Sequence, residues 1–258
     1  MAKRSNIALI AGYKDISLND VIGKTSFVIW FCGCNLRCPF CQNYWMVINK
    51  NMCESLCLDD LIQEIQKVSG YVDYVQVTGG EPTLQSAQLE YIYRKIKSIG
   101  LEGSLDTNGS NPSIIEHLIR KKLIGHVAMD IKAPLEPEKY AKVAGVSQSF
   151  AKILIEKIKK SLELITKISF VEIRTTFVPN LVSEKDIMKI VDFLEAYLTR
   201  KDHYYILQQF VPNQNAPDPK YRQGDLANIS FLYQIAEEIK KKLPKIAIRH
   251  IEGVDYIK

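Results

Sequence analysis

Along the chain, short apolar runs rich in β-branched residues alternate with longer stretches in which apolar positions recur every three or four residues. The runs at 26–31 (SFVIWF), 74–77 (YVQV), 103–106 (GSLD), 126–132 (HVAMDIK), 172–178 (EIRTTFV), 204–210 (YYILQQF) and 246–251 (IAIRHI) read as strands. Between them, 58–68 carries Leu58, Leu61, Ile62, Ile65 and Val68 on one helical face. Further helices are predicted at about 86–99, 112–122, 149–166, 183–199 and 226–242. Asn111-Pro112 and Ser183-x-x-Asp186 are start signals, and Gly100 and Pro244 are stop signals. Strands alternating with helices imply an α/β protein, its parallel sheet covered by helices. Six or seven units of this kind suit a partial or full β/α barrel, with a doubly wound open sheet as the alternative. The stretch 211–225 (VPNQNAPDPKYRQGD) holds three prolines and a glycine and reads as a long loop after a strand, the place of a functional lid.

The 258 residues are 47% hydrophobic and 24% charged, the mix of an ordinary globular chain, which excludes disordered, collagen-like and coiled-coil classes. No linker or repeat divides the sequence, so one domain over 1–258 is expected, its core at about 20–250. A chain of this length buries roughly three quarters of its unfolded surface and needs no covalent staple. The 34 Lys+Arg against 29 Asp+Glu give +5, suited to anionic small molecules or an acidic partner surface and short of a nucleic-acid signature. Two basic residues, Lys3 and Arg4, precede an apolar run at 7–12 too short for a secretory leader. No stretch approaches a membrane span. A cytoplasmic location is expected, with no membrane or nucleic-acid partner.

All six cysteines (Cys32, Cys34, Cys38, Cys41, Cys53, Cys57) lie within one window, and the rest of the chain has none. A disulfide framework would spread its cysteines, so the clustering points to metal or redox chemistry. Cys34-x3-Cys38-x2-Cys41 follows an apolar strand directly, and three thiolates at this spacing can hold three corners of an iron–sulfur cubane within one loop. Zinc is the rival; it needs four closed ligands, the fourth coming from Cys32 or the Cys53/Cys57 pair. Downstream, the strand at 74–77 runs into Thr78-Gly79-Gly80-Glu81-Pro82, where two glycines let backbone approach a ligand and a carboxylate can bind an amine. At the C-terminal end of a barrel strand this is the place of an active site.

Together these residues resemble the radical S-adenosylmethionine (radical SAM) superfamily: Cys34, Cys38 and Cys41 match its cysteine loop, Phe40 the aromatic before the last cysteine, and Gly79, Gly80 and Glu81 its GGE motif. Asp106-Thr107-Asn108-Gly109 and Met129-Asp130-Ile131-Lys132 resemble the glycyl-radical-enzyme activases. TGGEPTLQ, DTNG, DIKAP and LQQFVPN are most similar to the anaerobic ribonucleoside-triphosphate reductase activating branch.

The resemblance implies a partial (β/α)6-type barrel. It implies a [4Fe–4S] cluster on Cys34, Cys38 and Cys41, its open iron chelated by S-adenosylmethionine. Gly79, Gly80 and Glu81 would then hold the methionyl amine and Phe40 the adenine. Asp106, Thr107, Asp130 and Lys132 would serve a monovalent-cation site by the methionyl carboxylate. The implied activity is cleavage of S-adenosylmethionine to a 5′-deoxyadenosyl radical that abstracts hydrogen from a glycine of a partner enzyme, with a ferredoxin or flavodoxin as electron donor. The ferredoxin-like insert of some activases is missing, so Cys53 and Cys57 are read as structural, and Cys32 as half-buried at a strand end. Arg174 is read equally as facing a cofactor or forming an ion pair. Two rival functions stand beside this one: a radical SAM enzyme acting on a small molecule, as in 7-carboxy-7-deazaguanine synthesis, and a zinc-binding module without catalysis.

Overall fold

The protein, seen here in a computed structural model, is described for residues 6–49, 52–224 and 226–257. Lys3, Arg4 and the last residue of the expected 211–225 loop, Asp225, lie outside the described residues. The strands are β1 (Ile7–Val21), β2 (Lys24–Phe31), β3 (Glu54–Cys57), β4 (Tyr74–Gly79), β5 (Glu102–Thr107), β6 (His126–Asp130), β7 (Phe170–Phe177), β8 (His203–Gln209), β9 (Ile246–His250) and β10 (Gly253–Ile257). The helices are α1 (Tyr44–Ile48), α2 (Leu58–Val68), α3 (Ser86–Ser98), α4 (Pro112–Arg120), α5 (Pro137–Ala144), α6 (Gln148–Ile165), α7 (Glu184–Leu194) and α8 (Ile229–Lys240). The fold is α/β with a largely parallel sheet built from repeated strand–helix units, as the apolar pattern implied. Among the described residues no helix is long and apolar enough to cross a membrane.

The chain forms two compact units. The first comprises residues 1–35, 45–107 and 111–128; the second comprises 36–44, 108–110 and 129–258. In the first, β3, β1, β2, β4, β5 and the start of β6 lie side by side; β2, β4 and β5 run parallel, and β1 is antiparallel to both β2 and β3. Leu58, Leu61, Ile62 and Ile65 of α2 and Leu89, Ile92, Tyr93 and Ile96 of α3 bury the helix faces that the periodicity marked. In the second unit β7, β8 and β9 are parallel and β10 returns antiparallel to β9. Helices α6, α7 and α8 bury Leu154, Ile158, Ile187, Ile190, Leu232 and Ile235.

Helix α1 and four other elements depart from the expectation, and those four have reasons in their sequence. The 7–12 run is only the start of β1, a 15-residue strand paired with β2 through a two-residue turn in which Gly23 takes φ +66°. Most of its residues from 13 to 20 are exposed, so polar side chains on both faces erase the alternation that marks a strand. Helix α5 was hidden because its eight residues are bounded by Pro137 at the first turn and Gly145 at the C-terminal cap, two signals that also read as loop. Strands β3 and β10 are four and five residues long, too short for a periodic signal. By contrast Ser183 and Asp186 form the expected reciprocal capping box of α7.

Candidate active site

The C-terminal end of β4 carries the GGE segment of the first unit. Gly79 takes φ +118°, and a Cβ there would lie 2.2 Å from the Phe31 carbonyl oxygen. At Gly80 a Cβ would lie 2.1 Å from the Gly33 carbonyl oxygen and 3.2 Å from Cys34 Cβ. Only glycine therefore fits where the strand end meets the start of the cysteine loop. Backbone bonds draw the two together: the Gly80 N–H donates to Phe31 O (2.9 Å) and the Glu81 N–H to Gly33 O (2.8 Å). Glu81 is fully buried. Its Oε1 accepts from the Thr83 N–H (3.1 Å), the Thr83 hydroxyl and the Thr107 hydroxyl (2.9 Å), while the Thr83 oxygen accepts from Asn111 Nδ2 (2.7 Å). Asp106, one residue earlier on β5, accepts from the Thr78 hydroxyl at 2.8 Å. The structure thus brings Gly79, Gly80, Glu81, Asp106 and Thr107 to adjoining strand ends. Sequence reading missed Gln85, whose side chain bonds Leu9 N, Leu9 O and Cys32 O (2.9, 2.8 and 3.1 Å), tying β1 to the entrance of the cysteine loop.

Two of the six cysteines are taken by a bond that the sequence argued against: Cys32 and Cys53 form a disulfide. The clustering rule failed because residues 32 and 53, 21 positions apart, are both brought to the β1 side of the sheet. Cys32 N–H donates to Leu9 O, and Cys53 lies just ahead of β3, which pairs with β1. Cys32 is also buried, not half-exposed. Cys57 is the N-cap residue of α2, as its position at the head of the helical pattern suggested. Cys34, Cys38 and Cys41 are outside any disulfide.

From residue 36 the loop continues in the second unit, seated on the end of α5. Arg37 N–H donates to Ala144 O (2.9 Å), and Cys38 Sγ lies 3.8 Å from the same oxygen. Gly145 takes φ +65°, and a Cβ there would lie 1.9 Å from the Arg37 carbonyl oxygen. Cys41 N–H closes a turn onto Cys38 O. Asp130 and Lys132 at the end of β6 form a half-buried ion pair of 2.9 Å. Burial works against the Lys132 charge, yet the Asp130 carboxylate and the Cys38 thiol beside it raise its pKa well above the usual value. Burial pushes the Cys41 thiol up, opposed by Lys132 and Arg37. Lys132 pulls toward the thiolate form that metal ligation requires, but burial outweighs it at Cys41. Phe40 is half-buried and packs edge-on against Tyr221 from the 211–224 segment. Arg174, read as open between two roles, forms an ion pair with buried Glu172 (2.7 Å), which also meets Arg249 (3.2 Å).

Residues 28–194 match the Radical SAM superfamily. The chain belongs to that superfamily. A Methanocaldococcus jannaschii protein, named as a candidate glycyl-radical enzyme activating enzyme, is 34% identical over 95% of this chain and 98% of its own length. The 7-carboxy-7-deazaguanine synthase of Hyperthermus butylicus is 35% identical over 35% of this chain and 37% of its own. In structure, TYW1 with a lysine-pyruvate adduct bound aligns with a TM-score of 0.62 at 17% identity, over 86% of this chain and 75% of that one. The protein is a radical SAM enzyme, and the family implies a [4Fe–4S] cluster and S-adenosylmethionine. The donor set suits that cluster in kind: three thiols outside any disulfide sit in one loop, soft donors of the type iron–sulfur clusters take. Among the described residues, no three His, Cys, Asp or Glu side chains are gathered as a ready-made metal site.

Proposed function

We propose that this enzyme installs a glycyl radical on a partner enzyme, the anaerobic ribonucleotide reductase type being the first candidate. The observation that carries the reading is the end-to-end likeness to the archaeal protein, 34% identical over 98% of that protein's length. Cys34, Cys38 and Cys41 would hold the cluster. When bound, the cluster and S-adenosylmethionine would supply a 5′-deoxyadenosyl radical able to abstract hydrogen from a glycine. Gly79 and Gly80 let the start of the cysteine loop seat directly on the strand end, since a Cβ at either would strike Phe31 or Gly33. The buried Glu81 carboxylate, oriented by Thr83 and Thr107, supports a role in holding the methionyl ammonium. Phe40 would meet the adenine. Lys132 would balance carboxylate and thiolate charge, and Asp106, Thr107 and Asp130 would serve a monovalent cation. The whole chain would act as one radical SAM domain, core 20–250, in the cytoplasm, with a ferredoxin or flavodoxin as donor.

Reduced anaerobically and given S-adenosylmethionine with a cognate glycyl-radical enzyme, the protein is expected to raise a glycyl doublet in electron spin resonance. The doublet should vanish when the partner's target glycine is replaced by alanine. Stoichiometric turnover of a metabolite with no partner present would overturn the reading. It would promote the second one, a small-molecule radical SAM enzyme, which the 91-residue likeness to a 7-carboxy-7-deazaguanine synthase favours.

A further inference from the structure

The cysteine loop comes to the surface of the second unit at the turn between α5 and α6. Arg37 and Gly145 are both exposed there, and they meet so closely that a Cβ on Gly145 would strike the Arg37 carbonyl. Behind them Cys38 is buried, its Sγ 3.8 Å from the Ala144 carbonyl oxygen. On that side the backbone of Ala144 and Gly145 covers the thiol, and Gly145 itself faces solvent.

The surface that continues from this point is cationic with an apolar centre. Ser147 caps α6, its side chain accepting from the Phe150 N–H, so the helix starts two residues after Gly145. Phe150, Ile153, Lys157 and Lys160 recur every three or four residues along its exposed face. Phe150 is 36% exposed and Ile153 57%, so packing within the protein does not account for either. Lys142 in the last turn of α5 and Lys152 near the start of α6 are exposed as well. Helix α6 carries four lysines against two glutamates, and Glu156 is already taken by Lys159 (2.8 Å). Apolar side chains inside a charged rim are the anatomy of an interface, and the surplus of lysine suits an acidic partner.

We propose that this face, made by Arg37, Lys142, Phe150, Lys152, Ile153 and Lys157, is the docking surface for an acidic one-electron carrier protein. This rests on reading Cys34, Cys38 and Cys41 as cluster ligands. Cleaving S-adenosylmethionine consumes one electron. Among the described residues the other cysteines are one disulfide and one free thiol, Cys57, too few to hold a relay. The electron then crosses from a separate protein directly to the cysteine loop. The carrier is oxidised by one electron, the group on the loop is reduced by one, and no proton or atom moves. Complexes of this kind are small, short-lived and steered by charge, which a few lysines around two apolar side chains provide.

The test titrates the holoenzyme anaerobically, by calorimetry at several salt concentrations, with an acidic flavodoxin and an acidic ferredoxin. The double variant Lys152→Glu/Lys157→Glu should bind its carrier about tenfold more weakly at low salt, with a flatter salt dependence. Lys121→Glu/Lys185→Glu makes the same charge change on exposed lysines elsewhere and should bind as the wild type does. Iron content and dithionite-driven cleavage of S-adenosylmethionine should be unchanged in both variants, whereas carrier-driven cleavage should fall in the first alone. Absence of wild-type binding to either carrier, or equal weakening in both variants or in neither, would overturn the docking face. So would a wild-type dimer that Lys152→Glu/Lys157→Glu splits, or a loss of binding confined to the glycyl-radical enzyme, since each gives the face to another occupant. An iron-loaded wild type that leaves S-adenosylmethionine intact under dithionite would overturn the cluster reading itself, and this proposal with it.

Discussion

The cysteine loop is shouldered by two glycines, one in each unit, and the two shoulders are built on different physics. Gly80 meets the Gly33 carbonyl and Gly145 meets the Arg37 carbonyl, each so closely that an alanine Cβ would sit inside van der Waals contact. Around Gly80 the contacts include hydrogen bonds from neutral donors, Thr83 and Thr107, onto one fully buried carboxylate, Glu81. Around Gly145 they include charges: Asp130 against Lys132, and Lys132 against two thiols. A neutral-donor cradle holds its shape across ionic conditions, because buried hydrogen bonds are little screened. A half-buried charge cluster responds to whatever charge arrives. The first shoulder is suited to fixing geometry and the second to adjusting electrostatics.

The largest effect expected is loss of the metal. Cys34→Ala, Cys38→Ala and Cys41→Ala should each lose most iron and all S-adenosylmethionine cleavage, measured by iron assay and product chromatography. Cys53→Ala should keep its iron near wild type. Equal iron loss in Cys53→Ala would dissolve the distinction between ligand and tether cysteines.

Next come the shoulders themselves. Gly80→Ala and Gly145→Ala should each destabilise by about 3 kcal/mol, since the obstructing atoms are backbone and cannot swing away. Denaturant unfolding would read this, and a harmless Gly145→Ala would show that only one shoulder is tight.

Smaller is the split between the two kinds of contact. Glu81→Gln should cost about 2 kcal/mol in stability, nearly independent of salt. Lys132→Met should cost less and show a loss that shrinks as salt rises. Both should weaken S-adenosylmethionine binding roughly tenfold, by the loss of one charge-assisted contact. The same salt response in both variants would remove the contrast.

The smallest is a pH effect far from the site. The Thr25 N–H holds the Asp73 carboxyl below its usual range in the first unit. In the second unit, burial raises Asp186, but Lys139 and Ser183 overcome that and hold it low as well. A depressed carboxylate stabilises above its unfolded pKa near 3.9, and that contribution is lost as pH falls through the folded value. Asp186→Asn should therefore cost about 1 kcal/mol at pH 7, where it breaks a helix cap. Exposed Asp73→Asn should cost under about 0.5 kcal/mol after solvent screening. Both differences should shrink as melts are taken at pH below about 4 and falling through the lowered folded values.

Much of this was readable without coordinates, for identifiable reasons. The parallel strands and amphipathic helices are set by apolar periodicity, which Leu58, Leu61, Ile62 and Ile65 carry within eleven residues. The GGE turn announces itself because no residue but glycine fits against Phe31 and Gly33. What escaped has no local signature. Gly145 counts only because Arg37, more than a hundred residues earlier, passes over it. Gln85 looks like any polar residue until β1 is found beside β2. Tyr221 sits in a proline-rich run whose composition says only loop. The Cys32–Cys53 pairing depends on β3 returning to β1, a four-residue strand that no window of the sequence isolates.

That disulfide has a topological consequence. Its two ends bracket residues 33–52, so Cys34, Cys38, Cys41 and helix α1 all lie on one covalently closed ring. Closing a ring of about 20 residues removes about 3 kcal/mol of freedom from the unfolded chain. The segment that must collect iron thus starts as a short cyclic peptide anchored at β2 and β3 instead of an open strand, and its search for a metal-binding shape is correspondingly narrow. The bond can also be undone by thiol–disulfide exchange, the reaction that strong thiol reductants promote. In such conditions the ring opens, and the length of chain free to rearrange around the incoming metal grows on both sides of the three thiols.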